Sequence, residues 1–165
     1  MIAILLNDAS FEQDIRELLM AFYPGETFTH KEEEAGEADL IVRGVRDGNS
    51  FSLDVTPVKK EAVHFALIYP DFSNRFETKN EIKQTLYRLL SARTGRELPW
   101  GTLTGIRPTK IALTKLYDGW TDEQIETYMR ETYFTSKEKI ITAVYGSLHT
   151  QARTPFTLLA ASEIP

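Results

Sequence analysis

Strand-like alternation of the apolar residues does not return after about residue 69, and that boundary fixes the fold class of this chain. Up to about residue 69, short strand-like runs are interrupted by one helical stripe; from Ile82 onward, apolar residues recur only every third or fourth position. Ile2–Leu6 reads as a buried strand. Phe11, Ile15, Leu18, Leu19 and Phe22 then follow helical spacing, Ser10 and Gln13 stand as a capping box, and Pro24-Gly25 ends the run. Residues 26–30 form a short strand, and Lys31–Glu37, acidic and aperiodic, reads as a solvated loop. Residues 38–45 make the next strand. Asp47-Gly48 signals a tight type I′ hairpin, because glycine takes positive φ without steric cost. Phe51, Leu53 and Val55 alternate with polar residues, and Val63, Phe65, Leu67 and Tyr69 repeat the pattern, each strand having one wet face.

After the loop at 70–76 the stripe Ile82, Leu86, Leu89 and Leu90 reads as a helix that ends at Gly95, in the left-handed C′ position. Ile111–Tyr117 is a third helix. Thr121 and Gln124 repeat the capping-box spacing ahead of a fourth. Ser136 caps a last one, with Ile140, Ile141 and Val144 turned inward. The expectation is an α+β chain in which residues 1–75 form a mainly antiparallel sheet with a packed helix. Residues 76–145 form a helical half against it, and residues 146–165 form an atypical tail without helical period.

Composition narrows the function. The 165 residues, 42% hydrophobic and 26% charged, are enough for a real core. No apolar run reaches the roughly 18 residues of a membrane span, and the start lacks the basic flank of a signal peptide, so the expected compartment is the cytoplasm. There is no cysteine, which excludes disulfides, thiolate catalysis, Cys-held zinc and any Cys-held iron–sulfur cluster within this chain. His30, His64 and His149 lie too far apart in sequence for a metal-ligand motif. Residues 1–75 carry 7 Lys/Arg against 14 Asp/Glu, whereas residues 79–115 carry 8 against 2. That basic stretch suits an anion or an acidic surface.

The most informative residues lie inside it. In Leu98-Pro-Trp-Gly-Thr-Leu-Thr-Gly-Ile-Arg-Pro-Thr-Lys110, Pro99 and Gly101 hold Trp100 in an ordered turn, where it serves packing rather than stacking. Pro108 suits the first position of a helix. The first-turn amides of Thr109, Lys110 and Ile111, with Thr104, Arg107, Thr109 and Lys110 beside them, would make an anion site at the positive end of that helix. The plainer alternative pairs Arg107 and Lys110 with the acidic first half. Walker-type glycine spacing is absent, so this is no P-loop.

The run LPWGTLTGIRPTK, preceded by NEIKQTLYRLLS and followed by Ser136-Lys-Glu-Lys139, resembles the N-terminal region of HemZ-type, oxygen-independent coproporphyrinogen III dehydrogenases of haem synthesis. Phe22-Tyr-Pro-Gly25 fits it as well. The resemblance covers about residues 1–145 and is specific chiefly over 80–112. It implies a parent whose radical-SAM barrel follows this region, carrying CxxxCxxC, a 4Fe–4S cluster and S-adenosylmethionine. This chain holds none of those cysteines, so no catalytic residue carries over and no cofactor is expected in the chain itself. The expectation is a non-catalytic accessory domain. Its partners would be the radical-SAM domain and porphyrinogen carboxylates, with no membrane. A nucleic-acid-binding module or stand-alone adaptor is the competing reading, since Tyr87, Trp100 and Tyr117 stand among the basic residues. Nucleic acid is disfavoured because the charges scatter around the 79–93 helix rather than along one face.

Overall fold

A computed structural model describes residues 1–57, 63–104 and 108–151, with side chains to residue 146. Its strands are β1 (Ile2–Leu6), β2 (Phe28–Thr29), β3 (Leu40–Asp47), β4 (Ser50–Pro57) and β5 (His64–Ile68). Its helices are α1 (Glu12–Phe22), α2 (Arg75–Thr94), α3 (Pro108–Tyr117), α4 (Asp122–Tyr133) and α5 (Lys137–Gln151). The fold is α+β, as expected.

The strands form one sheet in the order β2-β1-β3-β4-β5. It is mixed rather than largely antiparallel: β1 runs parallel to β2 and to β3, while β3–β4 and β4–β5 are antiparallel. The reason lies in the connections. A helix between β1 and β2 carries the chain back to the end where it began, so the next strand returns parallel; tight turns reverse it. The β3–β4 turn pairs Asp47 with Ser50 and leaves Gly48-Asn49 at the tip. Only Gly48 there has positive φ, +57°, which is the type II′ pattern and not type I′.

Both α1 and α2 cover the same face of the sheet. Ile2, Ile4, Leu40, Val42, Phe51, Leu53 and Val55 from the strands meet Ile15, Leu18, Leu19 and Phe22 of α1, and Ile82, Leu86, Tyr87 and Leu90 of α2. A second core joins the later helices: Ala112 of α3, Ile125, Met129 and Tyr133 of α4, and Ile140, Ala143 and Val144 of α5, with Leu103. Ile141, expected inward, is exposed, and Ala143 takes the inward place. A small residue there suits the close packing of α3 on α5. The same crowding bears on Gly146, where a Cβ would lie 3.1 Å from the Thr109 methyl. Helix α5 accordingly runs on through Gly146 to Gln151, into the stretch expected to lack helical period. The remainder, 152–165, lies outside the described residues.

Three local expectations are corrected. Asp8, not Ser10, caps the first turn: its carboxylate accepts from the Ser10 amide at 2.9 Å, a 3-10 turn follows at Ala9–Phe11, and Gln13 donates instead to Glu17. Residues 32–37 are no open loop but a 3-10 stretch, which buries Ala35 with Ala3, Leu5 and Ala38 on the outer face of the sheet. In β5 the apolar set points outward. Leu53, which is buried, pairs with Ala66, so His64, Ala66 and Ile68 share the helix-covered face and Phe65 and Leu67 the open one. Ala66 and Ile68 are apolar too, which leaves alternation alone unable to choose the face.

Thr121 and Gln124 form the capping box expected of them, the Gln124 amide donating to Thr121 Oγ1 at 3.2 Å and the Thr121 amide to Gln124 Oε1 at 2.9 Å. Thr121→Ala is expected to cost about 1 kcal/mol, the usual value of an N-cap. A denaturant midpoint that does not move would show that α4 is held by packing alone.

Candidate functional site

The segment from Leu98 to Thr104 leaves α2, turns twice and lies against the end of α4. Two backbone hydrogen bonds are internal to it: Gly101 donates to Leu98 O at 2.8 Å and Leu103 to Trp100 O at 3.1 Å. It is also tied to three other parts of the fold. Thr102 donates to Tyr133 O at 2.7 Å, the Ser136 amide donates to Pro99 O at 2.9 Å, and the Leu98 amide donates to the Tyr87 hydroxyl at 3.0 Å. Gly101, at φ +59°, makes this approach possible, since a Cβ there would fall 1.8 Å from Tyr133 O. Trp100 packs against the second core, as expected of a structural residue, although it is partly rather than fully buried, with Lys139 Nζ 5.5 Å from its ring centre.

On one flank of this turn sits a charged cluster at the junction of α1 and α2. Lys83 is only 4% exposed, and its ammonium donates to Thr104 Oγ1 at 2.9 Å. That hydroxyl reaches Glu17 at 3.4 Å, and Lys79 pairs with the buried Asp14 at 2.6 Å. Burial holds the Lys83 ammonium below the ordinary lysine range, and neighbouring Lys79 adds to this, while Asp14 and Glu17 pull the other way. Desolvation dominates because the ammonium has given up water for a hydroxyl.

On the other flank lies a groove of about 840 Å³, between α2 and the start of α5, lined among others by Tyr87, Arg88, Leu98, Phe134 and Lys137. Phe134 ends α4 in the left-handed region at φ 58°, where a bulky side chain is uncommon. The conformation turns its ring between Tyr87, at 5.4 Å, and the Arg88 guanidinium, at 4.9 Å. Glu97 and Glu138 also line the groove, so its charges balance and it is no dedicated anion site.

The four residues read as an anion site fall as follows. Thr104 is engaged by Lys83 and Glu17. Thr109 lies in the first turn of α3, its methyl facing Gly146 of α5, and Pro108 takes the first helical position. Lys110 is exposed on α3. Arg107 lies outside the described residues. The wider basic stretch is dispersed: Lys79 and Lys83 turn toward α1, Arg96 donates to Phe22 O at 2.7 Å, and Lys115 lies over Trp120 and Tyr128.

Sequence reasoning missed Lys83, Arg88, Phe134 and Lys137. For Lys83 the signal was present, because it precedes Leu86 and Leu90 by three and seven residues and so shares their stripe. For the groove there was none, since it is assembled from α2, the turn and α5.

Over 89 residues, 52% of this chain and 17% of the relative, it is 36% identical to the oxygen-independent coproporphyrinogen-III oxidase-like protein HemZ of Bacillus subtilis. The chain is similar to HemZ. The resemblance to HemZ read from the sequence therefore holds, and the chain spans about a sixth of the length of HemZ. No family model matches the chain, and no solved structure matches it. Among the described residues no three His, Asp or Glu side chains stand together as a metal site, and no helix is long and apolar enough to cross a membrane. A cluster of the kind implied by HemZ likeness would need thiolates, and this chain has none, so its residues do not fit that group.

Proposed function

We propose that this chain is a non-catalytic accessory domain of a HemZ-like protein of haem synthesis, serving recognition of a substrate or of a neighbouring domain while the chemistry lies elsewhere. The observation that carries the reading is the 36% identity to HemZ, joined to a chain without cysteine. The anion it would meet is a porphyrinogen carboxylate, at the start of α3 near Thr109 and Lys110, with Thr104 and Arg107, which precede α3 in the sequence, as the other candidate groups. Nucleic acid fits less well, because Lys79 pairs with Asp14, Lys83 is buried and Arg96 donates to Phe22 O, so these cations are already engaged within the fold.

Two measurements test it. After anaerobic incubation with iron and sulfide, the purified chain is expected to stay colourless and to bind no S-adenosylmethionine; a stable, stoichiometric visible band would overturn the non-catalytic assignment. Coproporphyrin III and a short oligonucleotide, titrated into the wild type and into an Arg107→Ala, Lys110→Ala variant, separate the two partners. Salt-sensitive porphyrin binding lost in the variant is the expected outcome. Equal binding by both proteins, or none by either, would mean that these residues serve the fold alone.

A further inference from the structure

At the carboxyl ends of β1 and β2 the chain leaves the sheet on opposite faces. It passes from β1 to β2 through α1 on the inner face, then from β2 to β3 through the 3-10 stretch on the outer face. Between neighbouring parallel strands that part in this way a crevice opens, and ligands of open α/β sheets bind there. Here β2 pairs only with Ile2 and Ala3, so the crevice continues beside the rest of β1. It holds a cavity of about 290 Å³, lined by Ile4, Leu6, Ala9, Glu12, Arg16 and His30. That is the lower end of the roughly 300–1,000 Å³ of small-molecule sites, and the lining has their pattern of an apolar floor with a few convergent polar groups.

Those polar groups are incomplete. His30 Nδ1 lies 3.3 Å from Ile4 O, and because a carbonyl only accepts, that nitrogen carries the hydrogen. Nε2 then turns to Glu12 Oε1 at 3.4 Å, and in the neutral ring it offers a lone pair, so two acceptors face each other. Glu12 Oε1 is buried with no hydrogen-bond donor among the described residues, a costly state for a carboxylate oxygen. Arg16, one turn along α1, has the spacing to pair with Glu12 and does not. Its guanidinium stands 5.7 Å over the Phe28 ring and meets no carboxylate among the described residues. We infer that this cavity binds a free α-amino acid, whose ammonium donates to Glu12 Oε1 and His30 Nε2 and whose carboxylate lies on Arg16. A simple cation would leave Arg16 unmatched, and a simple anion would bring its charge against Glu12; a zwitterion answers both. Ile4 and Leu6 suit a small apolar side chain. The cavity shares no residue with the α3 region, so it stands or falls independently of porphyrinogen recognition.

The free L-amino acids, titrated one by one into the full chain and followed by backbone amide chemical shifts, test this. At least one with an apolar side chain is expected to bind with a Kd of about 1 mM or tighter, shifting the amides of Leu6, Glu12 and His30. Its N-acetyl derivative lacks the ammonium and its carboxamide lacks the carboxylate. Each is expected to bind at least about tenfold more weakly, the scale of a lost hydrogen bond to a charged group. In Glu12→Gln the free amine and the N-acetyl derivative should bind alike, and in Arg16→Gln the acid and the carboxamide should. The new amide of Glu12→Gln can donate to Nε2, so its Tm is expected to hold or rise. A fall would mean that the carboxylate is already satisfied within the fold, against the proposal. Amides that no amino acid shifts at about 10 mM would overturn it, as would a preference for free amine and acid that survives both variants. Zinc that shifts the His30 ring, with no response to any amino acid, would give the pair to a metal and overturn it equally.

Discussion

Gly101→Ala is expected to cost about 4 kcal/mol or more, a large share of the roughly 5–15 kcal/mol by which an ordinary domain is stable. The new Cβ would stand 1.8 Å from Tyr133 O and 2.6 Å from the Phe134 carbonyl carbon. Both are backbone atoms at the end of a helix, so no side-chain rotation relieves the overlap. The whole 98–104 turn must move, breaking the Thr102–Tyr133 and Ser136–Pro99 hydrogen bonds. Gly95→Ala is the control, since Gly95 has φ +65° and a Cβ there would meet nothing within 4 Å. It carries only the conformational penalty of about 1–2 kcal/mol. Urea denaturation of the two variants measures the difference. Equal losses would mean that α4 and the turn are not packed as closely as the distance says.

Lys83→Glu is the second large effect, expected at about 3–5 kcal/mol, the scale of an uncompensated buried charge. The carboxylate would enter a buried site already facing Asp14 and Glu17. Lys83→Met keeps the aliphatic volume and removes the charge, and is expected to leave stability unchanged or raise it by up to ~2 kcal/mol. The two variants divide charge from packing. The pH dependence follows from the direction of the shift. The folded state holds the Lys83 proton less tightly than the unfolded chain, so the charged side chain costs stability throughout the range below its folded value. That cost fades as pH climbs from there to the ordinary lysine value. Any advantage of Lys83→Met should accordingly shrink in that alkaline window. An advantage that grows there would reverse the assignment of burial as the dominant cause.

What could be read from residue order alone was local. The capping box at Thr121 and Gln124, the left-handed Gly95 and the first-turn Pro108 rest on neighbours a few positions apart, and they stand as expected. The errors arose where distant partners decide. Whether β1 pairs parallel or antiparallel depends on where residues 28 and 40 return. Which face of β5 turns inward depends on its register with β4. Asp8 displaced Ser10 as a cap because the chain enters α1 through an extra 3-10 turn, and Arg46, across the sheet, also reaches Asp8 at 3.2 Å. The candidate site divides the same way. The Leu98–Lys110 segment stood out as a run of residues, but its bond to Lys83, its fit under Tyr133 and the groove behind Phe134 exist only once three helices meet.

The placement of α2 sets an order on synthesis. The inner face of the sheet belongs to one core with α2, whose last turn comes at Thr94, some forty residues after the β4 strand it helps to cover. While a ribosome is still making that stretch, Phe51, Leu53 and Val55 have only α1 for shelter, and apolar strands left open in this way are what chaperones bind. The later helices close a core of their own from near neighbours, a kind of assembly that is fast because its loops are short. The vulnerable interval in the life of this polypeptide is therefore the passage from β4 to the end of α2, and shortening the chain anywhere within it would yield an aggregating fragment instead of a smaller domain.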